Sequence, residues 1–386
     1  MVDTQSFVPR FAPEMIDDLN VRLRITRWPD ELADAGWDYG MSTPVLRSFV
    51  ATWLNEYNWD AAQRRLAEFS HYLVPTDRGR IHVIHEPAEP RASGRRSVPL
   101  LLLHGWPSSF VQMLPIIRPL AAPDDPDDLA FDVVAMSLPG YGFSDRPTVA
   151  GTDLMQIAET AARVMRTLGY DRFIGRGSDL GAGVLQQLAL RRPECLIGLH
   201  LSGTNPYLGP IPDDLSDAER EFVAHAQAWS QTEMAYAMEH ATKPQTLAHA
   251  LNDSPAGLAS WILEKFRRWS DCGGDLDAVF DRSDLITNIV VYWATQTIGS
   301  SMRLYAEAAR STSAAWGRVE VPTALAMSGA DMFPTPREWA ERSYNVVRWT
   351  ELERGGHFLE WETPDAIVAD LRQTAQGWVG PGGVER

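Results

Sequence analysis

The pattern of apolar and polar positions changes character along the chain. From the N-terminus to about Glu89 it predicts helices with aromatic punctuation, over Pro13–Arg24, Thr43–Tyr57 and Trp59–Phe69. Val74–Glu86 has strand character with a turn at Asp77-Arg78-Gly79. Pro87–Ser97 is polar and rich in Pro and Arg, which marks it as a linker.

An alternation of strands and helices follows. Pro99–Leu103 and Phe131–Met136 are continuous apolar runs, as expected of strands buried on both faces. Gln156–Leu168 is amphipathic at helical spacing, Arg172–Gly175 is a short strand, Leu185–Leu190 a helix and Ile197–Leu201 a strand. This rhythm predicts a parallel sheet covered by helices on both sides. From about Asn205 to Arg310 strand runs disappear, and the chain is helical and rich in Trp, Tyr and Met. Strand character returns at Val321–Met327 and Val346–Thr350, before a closing helix at Asp365–Trp378. A helical block inserted between strands predicts a lid over the carboxyl edge of the sheet. The expected organisation is an N-terminal helical meander over 1–95, a core over 96–204 and 313–386, and a lid over 205–312.

Composition narrows the partners. Hydrophobic residues at 45% and charged residues at 22% fit a soluble globular protein. A formal charge of −16 argues against nucleic acid and against an anionic membrane surface, leaving an uncharged small molecule as the simplest partner. Cys195 and Cys272 are too few for a disulfide framework or a zinc site. His82 and His85 are three apart on the predicted strand and face opposite sides, so they form no metal site. The N-terminus lacks a basic region followed by an apolar run, and no apolar stretch is long enough to span a bilayer. A cytoplasmic setting is expected.

The chemistry concentrates in Gly175-Arg-Gly-Ser-Asp179-Leu-Gly-Ala-Gly183, between a predicted strand and helix. Small residues two before and two after a central side chain mark a nucleophile elbow, a sharp turn that exposes that side chain. Gly177 and Gly181 meet this requirement around Asp179, while Ser178 sits one place early. A dinucleotide fingerprint fails because Leu180 fills its third glycine position. A structural turn with Asp179 as a helix cap is the plain alternative.

Other segments decide between these. His104-Gly105-Trp106-Pro107 follows the first core strand, where Trp106 can turn a backbone N–H toward the elbow and contribute to substrate binding. The Leu180 N–H would be the second donor of that oxyanion hole. Gly355-Gly356-His357-Phe358 follows the last strand, where the α/β-hydrolase chain order of nucleophile, acid and histidine places the base. Asp331, in Ser-Gly-Ala-Asp331, follows Val321–Met327, where the orienting acid belongs. Glu353 and Glu360 lie nearer His357 in sequence but are expected to be solvated.

An aspartate nucleophile suits attack on saturated carbon bearing a strained or good leaving group. The resulting ester would be hydrolysed by water that His357 activates, with Asp331 stabilising the imidazolium. The leaving atom is an epoxide oxygen or a halide. A halide calls for aromatic N–H donors, typically a Trp directly after the nucleophile, whereas Leu180 stands there. Epoxide opening is favoured over haloalkane dehalogenation. A catalytically inactive ligand-binding member is the third alternative, and the presence of Asp179 and His357 speaks against it.

The sequence resembles microsomal-type epoxide hydrolases with their N-terminal domain. The resemblance rests on Phe7-Val-Pro-Arg-Phe11, Arg27-Trp-Pro-Asp30, His104-Gly-Trp-Pro107, Leu138-Pro-Gly-Tyr-Gly-Phe-Ser144, the elbow, Ala250-Leu-Asn-Asp-Ser-Pro255, Ile262-Leu-Glu-Lys-Phe266 and Gly355-Gly-His-Phe358. It implies an α/β-hydrolase fold, no cofactor, and two lid tyrosines that polarise the epoxide oxygen. Matching the segment Tyr236–Pro255 gives Tyr236 as the first, and Ser300-Ser-Met-Arg-Leu-Tyr305 gives Tyr305 as the second. Tyr292 matches a family tyrosine that packs instead. The family often has Glu where Asp331 stands and an aromatic residue or Ile where Leu180 stands, and the membrane-anchoring helix of the animal enzymes is absent. The chain also resembles epoxide hydrolases of actinomycete enediyne pathways, which would imply an apolar or aromatic epoxide and a vicinal diol product. Homo-oligomerisation is compatible with this.

Overall fold

The apolar runs become the centre of one sheet. The computed structural model describes residues 4–88, 97–203 and 211–379. Among these residues the strands are β1 (Gln5–Phe7), β2 (His71–Thr76), β3 (Gly79–Glu86), β4 (Val98–Leu103), β5 (Phe131–Met136), β6 (Phe173–Ser178), β7 (Leu196–Ser202), β8 (Val319–Ser328) and β9 (Tyr344–Leu352). They pair in the order β1-β2-β3-β5-β4-β6-β7-β8-β9. β4, β5, β6 and β7 are buried at every position, which explains the apolar runs of β4 and β5, while β6 and β7 also bury Arg176 and His200. Pairing is parallel from β5 through β9 and antiparallel among β1, β2, β3 and β5.

This is the α/β-hydrolase fold, a mostly parallel sheet with helices. The expected turn at Asp77-Arg78-Gly79 joins β2 to β3, where Gly79 has φ +118°. The N-terminal segment divides its attachments. Its hairpin extends the main sheet through β3 and β5, with Ile84 opposite Ala135. Its helices, Pro13–Arg24 and Thr43–Asn55, pack on the helix Pro255–Trp269 instead. Arg22 pairs with Asp253 at 2.6 Å, and Tyr57 Oη meets Thr287 Oγ1 at 3.0 Å, so meander and helical block are tied at both ends. Most of the linker expected at Pro87–Ser97, and the expected beginning of the lid near Asn205, lie outside the described residues.

Between β7 and β8 the chain runs through helices Asp217–Glu233, Ala235–Thr242, Pro244–Leu251, Pro255–Trp269, Arg282–Thr295 and Ile298–Arg310. Their starts are locally encoded. Ser216 and Glu219 form a reciprocal capping box, and Ser254 and Asp281 cap their helices through backbone N–H groups. Among the described residues no helix is long and apolar enough to cross a membrane.

The parallel strands all deliver their carboxyl ends to one edge, where ligands of open α/β sheets bind. β4 ends at Leu103, β6 at Ser178, β8 at Ser328 and β9 at Leu352. The sequence places His104–Pro107, Asp179, Asp331 and His357 directly after those four ends.

Candidate active site

Strand β6 passes into the helix Asp179–Arg191 without an intervening loop. Such an abrupt reversal demands unusual backbone at its tip, and Asp179 takes φ +51°, in the left-handed region. A non-glycine residue there costs of order 1–3 kcal/mol and persists only where its surroundings hold it. The flanking glycines make the turn possible. A Cβ on Gly177 would stand 2.9 Å from the Gly181 carbonyl carbon, and one on Gly181 would overlap the Leu103 carbonyl group of β4. Ser178 holds the N-cap position, so the alternative of Asp179 as a plain helix cap does not apply.

The Asp179 carboxylate is held on one side only. Trp106 N–H donates to its Oδ1 at 2.8 Å. Gly105 permits this approach, because a Cβ on it would collide with the Asp179 side chain. Oδ2 faces the imidazole, with His357 Nε2 at 3.6 Å. His357 Nδ1 bonds Asp331 Oδ1 at 2.9 Å, and the same Asp331 oxygen accepts Met332 N–H at 2.7 Å. A carboxylate from the end of β8 thus orients an imidazole that follows β9 and points at a second carboxylate following β6.

His357 is buried, and burial alone would disfavour its charge. The Asp331 charge, the close approach of the charged Asp179 side chain at 3.6 Å and the hydrogen bond to Asp331 outweigh that penalty and raise its pKa to about 10. That balance favours the imidazolium over the neutral imidazole.

Tyr236 and Tyr305 come from two different helices of the block, Ala235–Thr242 and Ile298–Arg310, and their rings meet edge to face at 6.1 Å. Burial first, and then the Asp179 charge, raises the Tyr236 pKa; burial, Tyr236 and Asp179 raise that of Tyr305. Both phenols stay protonated and able to donate. Asp179, His357, Asp331, Leu180, Tyr236 and Tyr305 all line one cavity of about 540 Å³. Its remaining wall is mainly apolar and includes Trp229, Met234, Met332, Phe333 and Trp316.

With this geometry, comparison with known proteins is decisive. Residues 4–113 match the family described as epoxide hydrolase N terminus, and residues 98–297 match the alpha/beta hydrolase fold. Epoxide hydrolase 1 of Sus scrofa is 31% identical over 391 residues, covering 94% of this chain and 86% of that protein. A Stigmatella aurantiaca protein with a provisional epoxide hydrolase assignment is 36% identical over 371 residues, covering 95% and 82%.

The chain belongs to the epoxide hydrolase family.

The solved structures agree. Juvenile hormone epoxide hydrolase from the silkworm Bombyx mori superposes with a TM-score of 0.86 at 30% identity, covering 98% of this chain and 94% of that one. Aspergillus niger epoxide hydrolase gives 0.85 at 28%, covering 98% and 97%. This chain is thus an epoxide hydrolase, and an epoxide is its substrate.

Two expectations about individual side chains need correction. Glu360 is not solvated: it is fully buried, 2.7 Å from the equally buried Arg176, and accepts Gln112 Nε2–H at 2.6 Å. Its charge is compensated by a residue of β6 remote in sequence. The indole of Trp106 does not line the cavity. It is fully buried, stacked on Tyr236 at 5.1 Å and 8°, with Trp269 edge-on at 6.1 Å. Trp106 therefore reaches the site through its backbone N–H and through support of Tyr236. Tyr292 packs as expected, donating to the Ser108 carbonyl at 2.6 Å. His82 and His85 do bond on opposite sides, to Ser137 and Tyr170. Sequence reasoning missed Glu362, whose carboxylate accepts backbone N–H groups on both sides of His357. Its only sequence signal was a position five residues after the base.

Proposed function

We propose that this enzyme hydrolyses its epoxide through a covalent ester on Asp179, under a lid formed by the helical block. The observation that carries the reading is the one-sided grip on Asp179: Trp106 N–H holds Oδ1 at 2.8 Å, leaving Oδ2 between His357 and the cavity.

In the first step Asp179 Oδ2 attacks an epoxide carbon. The carbon–oxygen bond breaks, and the departing oxygen takes a proton from Tyr236 or Tyr305. After ring opening His357 releases its proton to the phenolate through solvent, and in the second step its Nε2 takes a proton from water as the water oxygen adds to Asp179 Cγ. The developing oxyanion receives hydrogen bonds from the N–H groups of Trp106 and Leu180. On collapse the departing alkoxide takes the proton of the added hydroxyl and leaves as the vicinal diol, so Asp179 regains its charge and His357 keeps the proton it took from water. Asp331 holds the imidazole throughout. No cofactor or metal takes part.

Charge couples the two steps. The Asp179 charge raises the pKa of both phenols and of His357. Esterification removes that charge, so the phenols become stronger acids as the alkoxide forms, and His357 becomes easier to deprotonate when a base is next required. The apolar wall supports an apolar or aromatic substituent on the epoxide.

A single turnover in ¹⁸O-water tests the reading. Label should enter the Asp179 carboxylate and leave the first diol unlabelled; label in that first diol would mean direct hydration and refute the covalent route. His357→Gln should trap the ester, seen as a mass increase equal to the substrate.

A further inference from the structure

The loop that carries His357 has no regular structure, yet the base must be held within a fraction of an ångström. Two observations show what holds it. Glu362 Oε2 accepts Gly356 N–H at 2.9 Å, and Oε1 accepts Phe358 N–H at 2.8 Å, so one carboxylate grips the residues immediately before and after the base. Oε2 also accepts Asp271 N–H at 2.7 Å. Asp271 lies in the turn that follows the helix Pro255–Trp269, within the helical block.

The attachment to that turn is reciprocal. Asp271 Oδ2 accepts Gly355 N–H at 3.2 Å, and His357 N–H donates to the Trp269 carbonyl at 2.8 Å. Gly356 allows the approach, since a Cβ there would stand 2.7 Å from the Asp271 amide nitrogen. Every residue from Gly355 to Phe358 thus has its N–H group in a bond to Glu362 or to this turn.

We infer that Glu362 is the positioning residue of the base: its carboxylate fixes the backbone on both sides of His357 and fastens that loop to the Trp269–Asp271 turn of the helical block. Glu362 touches no reacting atom. The inference rests on the ester mechanism proposed above, and it predicts an effect confined to one step. Attack by Asp179 uses the tyrosines, whereas hydrolysis needs the Nε2 of His357 aimed at water beside Asp179 Cγ. Misplacement of a catalytic group by about 1 Å costs on the order of 10²-fold.

Glu362→Gln keeps the volume but replaces one acceptor oxygen by an NH₂ group, which cannot accept an amide N–H. Rapid-quench single turnovers, with ester and diol followed separately, should show alkylation within about 3-fold of wild type and ester hydrolysis slowed about 10- to 100-fold. A folding defect would lower the amount of active enzyme and leave both rate constants of the folded fraction unchanged. An unchanged hydrolysis rate constant, or equal losses in both steps, overturns the inference. If Glu362→Gln does not fold, Glu362→Asp retains the charge but is one methylene too short to hold both loop amides. Its hydrolysis step should slow by about 3- to 10-fold, and an unchanged rate there overturns the inference equally. Failure of the ester mechanism is distinguishable, because no ester would then form in the wild-type enzyme either.

Discussion

His357 Nε2 stands 3.6 Å from Asp179 Oδ2, a distance at which an imidazolium and a carboxylate attract strongly in a largely buried site. The attraction is one reason His357 titrates at about 10. Asp179→Asn removes the charge while keeping the shape, and Asn tolerates positive φ. The His357 pKa, followed by NMR of the ring protons, should fall below its wild-type value. Turnover should fall at least about 10³-fold, because the proposed nucleophile is gone.

The same pair has a consequence for stability. A folded-state pKa of about 10 against an ordinary 6.5 means that His357 binds a proton more tightly in the folded chain. Its contribution is fully present below about pH 6.5 and is lost as pH rises through about 10. Denaturation midpoints measured across that window should decline with pH, and the decline should be shallower in Asp179→Asn. An equally steep decline in both proteins would show that another group governs it.

Tyr236→Phe and Tyr305→Phe test the proton donors. Both phenols line the same cavity and are proposed to serve the same oxygen, so each single change should slow alkylation by about 10- to 100-fold, and the double change by about 10²- to 10⁴-fold or more. Ester hydrolysis, measured on preformed ester, should change little. Unchanged alkylation in the double variant would remove both residues from the mechanism.

Gly181→Ala should destabilise the protein by roughly 2 kcal/mol or more and abolish activity together, because the added Cβ overlaps the backbone carbonyl of Leu103. Backbone cannot move aside as a side-chain tip can. Thermal and chemical denaturation read the first effect, and diol formation reads the second.

The legibility of the sequence divides along physical lines. Continuous apolar runs reveal β4 and β5, and glycine spacing reveals the elbow, since burial on both faces and close backbone approach leave local marks. The burial of Glu360 leaves none. Nothing near it in sequence neutralises it; its partner Arg176 sits on β6, and only folding brings the two to 2.7 Å. The same holds for Trp106, whose backbone position follows from its place after β4 while its indole finds Tyr236 through tertiary packing. Glu362 accepts N–H groups from residues close in sequence, but from an irregular loop whose course no periodicity encodes.

The Arg176–Glu360 pair carries its own expectation. Glu360→Ala strands a buried guanidinium whose remaining side-chain contact is His200 Nδ1 at 3.2 Å, and should cost about 3–5 kcal/mol in chemical denaturation. The double change Arg176→Met with Glu360→Leu should recover most of that loss, because no buried charge is then left without its counterpart. A Glu360→Ala protein as stable as wild type would contradict this account.

Trp106 meets Asp179 through its main chain and Tyr236 through its ring, so a single residue underpins the anionic end and the acidic end of the reaction. An engineer who wishes to alter the rate of ring opening without touching release of the diol has little freedom at that position. Variation directed at the exposed part of the cavity wall, around Trp316, can reshape what the enzyme accepts while leaving that shared foundation undisturbed.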